Sequence, residues 1–164
     1  MAVDKGDHFV LSGQKMFISG SGFSDIYLVM TRTGEKEISC LLVEKGMSGV
    51  EFGKQERKLG WNCSPTATVD FDEVKVPKEN LIGERGQGFK IALSALDGGR
   101  LNIASCSIGG ASQCLHLAKE YTKSRKQFGR ELSAFQTVQF RLADMATDLE
   151  ASRMMVRNAA HLMD

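Results

Sequence analysis

Residues 66–100 read TATVDFDEVKVPKENLIGERGQGFKIALSALDGGR, and the period of the chain changes inside this stretch. At its start Val69 and Phe71 alternate with Asp70 and Asp72, the two-residue repeat of a strand with one dry and one wet face. At its end Phe89, Leu93, Leu96 and Arg100 step by three and four, the repeat of a helix. A glycine-rich run, Gly83 to Gly88, separates the two regimes.

Upstream, the strand regime continues back to about residue 8. HFVLS, KMFIS, DIYLVMTRT and EISCLLVE are short segments rich in β-branched and aromatic residues. Turn signals at Ser12-Gly13-Gln14, Gly20-Ser21-Gly22, Thr33-Gly34 and Gly46 to Gly49 divide them. That spacing predicts an antiparallel sandwich or barrel. Both prolines, Pro65 and Pro77, fall at element edges, where a missing N–H does least harm.

Downstream, the stripe runs on through Ile103, Ser107, Ala111, Cys114 and Ala118. A second helix carries Phe135, Val138, Leu142, Met145, Leu149, Val156, Ala159 and Met163 on one face. Ser133 and Gln136 have the spacing of a capping box. The predicted class is α+β: an antiparallel β-barrel or sandwich in residues 1–85, then two long α-helices in residues 86–164. Two helices with broad apolar faces need further helices to cover them, so the pair reads as an incomplete bundle.

Composition narrows the function classes. The 164 residues hold 21 Lys+Arg and 20 Asp+Glu, a net charge of 21 − 20 = +1, with 42% hydrophobic and 25% charged residues. This excludes a disordered tail and gives no global charge for nucleic-acid binding. No apolar run reaches the ~18–20 residues of a membrane span. Nothing near the start reads as a signal core or a basic presequence. Cys40, Cys63, Cys106 and Cys114 form no C-x-x-C pair and are not at zinc spacing with His8, His116 or His161, so they read as reduced, mostly buried thiols and no metal is expected.

Several groups could carry chemistry. Gly83, Gly86 and Gly88 precede a helix start, where free N–H groups can hold phosphate, but the order lacks a dinucleotide or Walker pattern and reads better as a flexible joint. Gly98-Gly99 and Gly109-Gly110 each weaken a helix by about 1 kcal/mol per glycine, which implies close packing or a ligand against the backbone. Asp97 and Arg100 flank the first pair at i and i+3, facing either a common site or only each other. Period 2 puts Phe17 and Ser19 on one strand face, a ring beside a hydroxyl that suits a planar heterocycle. The run Arg125 to Arg130 offers planar guanidinium forks for an anion, or is a charged inter-helix loop. No triad, nucleophile elbow or carboxylate pair is visible.

Taken in order, residues 13–27 (GQKMFISGSGFSDIY), 58–83 (KLGWNCSPTATVDFDEVKVPKENLIG), 86–111 (GQGFKIALSALDGGRLNIASCSIGGA) and 125–147 (RKQFGRELSAFQTVQFRLADMAT) resemble the acyl-CoA dehydrogenase family. The runs GWNCSPT and GGRLNIASCS are similar to members acting on short and short branched chains. The resemblance covers most of the family's middle β-domain and the first part of its C-terminal four-helix domain. It implies FAD-dependent α,β-dehydrogenation of an acyl-CoA, with electron-transferring flavoprotein as acceptor, a homo-oligomer, and the mitochondrial matrix. It implies that Phe17, Ile18 and Ser19 line the flavin, with Phe17 standing where many relatives carry Trp and Ser19 where many carry Thr. Arg125, Phe135 and Gln136 would hold the FAD of a neighbouring subunit. Asp97, Gly98, Gly99 and Arg100 would hold the acyl-CoA. No stretch matches the family's catalytic glutamate, so no catalytic residue is assigned and the chain alone is expected to be inactive. The alternative is a noncatalytic flavin-binding or helix-assembly module.

Overall fold

The computed structural model describes residues 1–163. It divides into two compact units, Met1–Ser94 and the residues from Ala95 onward.

The first unit is two antiparallel sheets. Strands β1 (Ala2–Asp4), β2 (His8–Ser19), β5 (Val50–Phe52) and β6 (Thr66–Pro77) form one, in the order β1-β2-β6-β5. Strands β3 (Ile26–Arg32), β4 (Ile38–Glu44) and β7 (Leu81–Ile82) form the other, in the order β3-β4-β7. Phe9, Leu11, Val69, Phe71, Val74 and Val76 from the first sheet pack with Tyr27, Val29, Leu41 and Val43 from the second. The α+β class is therefore as expected, with the sandwich as the form of its β part.

Residues 8–19 are one strand, not two segments with a turn at Ser12-Gly13-Gln14. The reason is a pair of bulges. From Leu11 to Gly13 strand β2 advances two residues while β6 advances three, Val74 to Phe71. From Lys15 to Ile18 the imbalance reverses: three residues on β2 against two on β6, Val69 to Ala67. Each extra residue is marked by a left-handed backbone, Glu73 at φ 49° and Phe17 at φ 57°.

The glycine run at 83–88 is not a flexible joint. The Gly86 amide donates to Ser39 Oγ at 3.0 Å, and Arg85 Nη2 donates to the Thr33 carbonyl at 2.7 Å. Arg85 also meets the carboxylates of Glu37 and Asp4. Gly88 is buried so tightly that a Cβ there would lie 2.5 Å from the Ser39 carbonyl carbon. The run is a pinned turn that seats the first residue of helix α1 (Gly88–Ser124) on the sheet.

From Ala95 onward α1 continues as one helix, followed by a hairpin, β8 (Lys126–Gln127) and β9 (Arg130–Glu131), and helix α2 (Gln136–Met163). The hairpin turn is Phe128-Gly129, with φ 53° and 79°, the doubly left-handed pattern of a type I′ turn. α2 runs back alongside α1 across an apolar groove of about 680 Å³, walled by Ser107, Ala111, Cys114 and Ala118 of α1 and by Met145, Leu149 and Val156 of α2. Among the described residues α2 buries none fully, and Leu93, Leu96 and Ile103 of α1 stay exposed. Both helices thus leave apolar surface uncovered among the described residues.

The Ser133–Gln136 capping box does not form. Leu132–Ala134 is a 3-10 turn, and α2 starts at Gln136, with the Phe135 carbonyl accepting from the amides of Val138 and Gln139 at 3.0 Å each. Gln139 Nε2 reaches back to the Ser133 carbonyl at 2.9 Å instead. The cysteines also depart from expectation: only Cys40 is buried, and its thiol pKa is pushed up by desolvation, while Cys63, Cys106 and Cys114 are exposed. The three exposed thiols lie on a loop and on a helix whose apolar faces lack cover.

Candidate functional site

The β-unit presents its candidate residues at the end of β2. Ile18 packs partly against the core, and on either side Phe17 and Ser19 are exposed. The simple period-2 argument does not produce this arrangement, because the bulge interrupts the alternation at Phe17. The bulge sets the ring instead. A bulky aromatic residue at φ 57° is held against its own conformational preference, and its side chain is 65% exposed. Strain of this kind persists where the surrounding structure fixes it and collects at functional positions. Ile18 and Ser19 border a cavity of about 410 Å³, together with Lys15, Ser24, Met30 and Phe71. Lys15 Nζ closes one side by donating to the Met30 carbonyl at 2.8 Å.

The turn after Ser19 is tightly held. The Tyr27 hydroxyl donates to the Gly20 carbonyl at 3.2 Å and accepts from the Gly22 amide at 3.0 Å. The buried Ser21 hydroxyl donates to the Thr68 carbonyl at 2.7 Å. An apolar ring and a hydroxyl are thus both exposed at one strand end, the one able to stack on a flat heteroaromatic group and the other able to hydrogen-bond it.

In the helical unit the candidates fall into two clusters. Asp97 and Arg100 form an exposed i,i+3 ion pair at 3.1 Å on α1. A Cβ at Gly98, Gly99, Gly109 or Gly110 would meet nothing within 4 Å. Close packing within the chain, the simpler explanation of those glycines, is therefore not what is found. They leave two bare patches on the helix.

The second cluster lies beyond the other end of α1. Arg125 is exposed, and its backbone is fixed by two bonds: its amide to the Tyr121 carbonyl at 2.9 Å, and its carbonyl from the Leu132 amide at 2.8 Å. Phe135 is half-buried, with Phe128 edge-on to its ring at a centroid distance of 6.3 Å. Gln136 opens α2 with its side chain exposed. Between Arg100 and Ser124 the helix rises by about 36 Å at ~1.5 Å per residue, so one chain does not bring the two clusters together. Neither cluster lines the inter-helix groove.

Arg130 and Lys58 did not stand out in the sequence as individual residues, the one stacked on Phe135 and the other gathering loop carbonyls. Their partners come from turns that only the fold creates. Among the described residues no group of His, Cys, Asp and Glu could hold a metal ion, and no helix is long and apolar enough to cross a membrane.

Comparison with known proteins bears on this arrangement. The chain is 57% identical to the mitochondrial isobutyryl-CoA dehydrogenase of Dictyostelium discoideum, over 99% of this chain and 40% of that protein. It is 54% identical to the Bos taurus protein of the same name, over 97% of this chain and 39% of that one. The subunit CarC of the caffeyl-CoA reductase-Etf complex of Acetobacterium woodii is 44% identical, over 99% and 44%. Among solved structures, butyryl-CoA dehydrogenase from Megasphaera elsdenii superposes with a TM-score of 0.88 at 42% identity, over 96% of this chain and 42% of that one. An acyl-CoA dehydrogenase complexed with FAD from Bacillus anthracis gives 0.86 at 34%, over 94% and 27%. The chain thus spans about two fifths of the length of the curated relatives it matches. Residues 1–74 match the acyl-CoA dehydrogenase middle domain and residues 86–164 the acyl-CoA dehydrogenase C-terminal domain, and the chain belongs to the acyl-CoA dehydrogenase family.

Proposed function

We propose that this chain forms flavin-binding and acyl-CoA-binding surfaces of an FAD-dependent dehydrogenase of short branched acyl-CoA thioesters, isobutyryl-CoA being the favoured substrate. The carrying observation is the identity of 54–57% to two isobutyryl-CoA dehydrogenases across nearly the whole chain, candidate stretches included.

FAD, when bound, supplies the acceptor for the hydride that leaves the β-carbon. The chain's own residues bind and orient. Phe17 offers its ring as a flat apolar wall, Ser19 a hydroxyl for a heteroatom, and Ile18 its backbone. Arg125 supplies the bidentate fork that matches pyrophosphate oxygens. Phe135 and Gln136 add a ring face and an amide beside it. Asp97 and Arg100 bracket Gly98-Gly99, and the bare backbone there lets a thioester ligand approach. We assign the role of α-proton acceptor to no residue of this chain.

The separation of the two helical clusters along α1 supports a homo-oligomer in which Arg125, Phe135 and Gln136 serve the cofactor of a neighbouring copy. A relative whose name places it in a complex with Etf supports electron-transferring flavoprotein as the redox partner. Two mitochondrial relatives support the mitochondrial matrix as the compartment.

The test is a titration of the purified chain with FAD, followed by isobutyryl-CoA under anaerobic conditions. A protein-bound flavin spectrum is expected, with an affinity that Arg125→Ala lowers and no bleaching by the thioester. Equal FAD affinity in the Arg125→Ala protein would remove that residue from the site. Bleaching by the unaltered chain would show that a proton acceptor lies among these residues after all.

A further inference from the structure

We infer that Lys58 is a positioning residue for the Phe17–Ser19 wall, acting through the loop between β5 and β6; this rests on the reading of that wall as a flavin surface. Lys58 is half-buried. Among the described residues it makes no salt bridge. Its ammonium instead donates to the Trp61 carbonyl at 2.9 Å, to Thr66 Oγ1 at 3.0 Å and to the Ser64 carbonyl. The three ammonium protons thereby have acceptors on this loop and on the first residue of β6.

The same loop is keyed into the strand end that carries the wall. The Gly20 amide donates to the Pro65 carbonyl at 2.8 Å, and Ser19 pairs with Thr66 across β2 and β6. The Gln55 side chain ties both sides: its Nε2 donates to the Ser21 carbonyl at 3.1 Å, and its Oε1 accepts from the Thr66 amide at 2.8 Å. Trp61 sits at φ 56° with its side chain exposed, so the loop's shape is not one its backbone would choose unaided. Lys58 gathers the carbonyls that this shape turns inward. Charge-assisted bonds are the strong ones, so the loop and Ser19 move together when the ammonium is lost.

Trp61 is the only tryptophan, so indole fluorescence of the full chain reports on this loop alone. In Lys58→Met, Trp61 anisotropy should fall and acrylamide quenching should rise. Exchange of the Gly20 amide should quicken by about tenfold or more, while the core amides of Leu41 and Val43 keep their wild-type rates. FAD affinity should weaken by about three- to tenfold. If Lys58→Met also speeds Leu41 and Val43, Thr66→Val is the second arm, because it removes one acceptor and leaves the ammonium in place; it should give the Gly20 signature at smaller size. A folded variant with unchanged Trp61 and Gly20 signals overturns the inference. If Ser19→Ala weakens FAD binding and Lys58→Met does not, the positioning role falls and the wall stands. If neither moves FAD affinity, the wall reading falls and takes the inference with it.

Discussion

The guanidinium of Arg130 lies 4.0 Å from the ring centroid of Phe135, and the hairpin turn places it there. Phe128, 91% exposed at the turn tip, meets the same ring edge-on. A cation over an aromatic face at an exposed site contributes about 0.5–1 kcal/mol. Arg130→Ala should therefore lower the unfolding free energy by about that amount in urea titration and weaken FAD binding through a loosened Phe135. Arg130→Lys should recover only part of either, because an ammonium lacks the planar stack.

Phe17 separates stability from binding. Its left-handed backbone costs of order 1 kcal/mol or more, and its exposed ring returns little packing energy. Phe17→Gly should leave the unfolding midpoint unchanged or raise it, while FAD affinity drops. A midpoint that falls together with affinity would mean that the ring serves packing rather than a ligand.

Gly88 tests the pinned turn. A methyl there would overlap the Ser39 backbone, so Gly88→Ala should destabilise the β-unit by about 1–3 kcal/mol in a thermal or urea melt. The bare helical glycines should behave in the opposite sense. Gly99→Ala and Gly110→Ala, with open space at each Cβ, should stabilise α1 by up to about 1 kcal/mol each by circular dichroism. Only Gly99→Ala should weaken acyl-CoA binding.

Acid should loosen the network around Arg85. The Asp4 carboxyl is held below its ordinary value of 3.8, first by the Lys78 hydrogen bond and then by the Gly6 amide. Glu37 is held below 4.5, first by the Thr33 hydroxyl and then by Arg85. A carboxylate with a lowered folded-state pKa stabilises the fold above its unfolded pKa, and that contribution is lost as pH falls through the folded value. Stability should hold at neutral pH and decline below about pH 4.5, with a shallower decline in an Asp4→Asn, Glu37→Gln protein. Equal acid limbs for the two proteins would remove these carboxylates as the cause.

The long elements are legible because period and composition agree there: Val69 and Phe71 point inward, and Met145, Leu149 and Val156 line one helical face. The segment 8–19 reads as two pieces because a glycine between apolar runs signals a turn and a bulge alike, and the residue that decides between them, Glu73, lies on the partner strand. The hairpin at Phe128-Gly129 is hidden because a bulky ring is a poor signal for a left-handed turn position. Phe17, Ser19, Arg125 and the glycine pairs stand out as residue types in suggestive order. Their geometry does not, since a bulge aims Phe17 and only the fold shows that Gly98 and Gly109 have no neighbours.

The two bulges of β2 and β6 lie on opposite strands, a few residues apart. Sliding one strand past the other by a single step would misalign both irregularities at once and turn buried valines outward. The pairing therefore works like a key with two notches: a register shifted by one residue is disfavoured at both, and the same pairing fixes the backbone that carries the Phe17 ring.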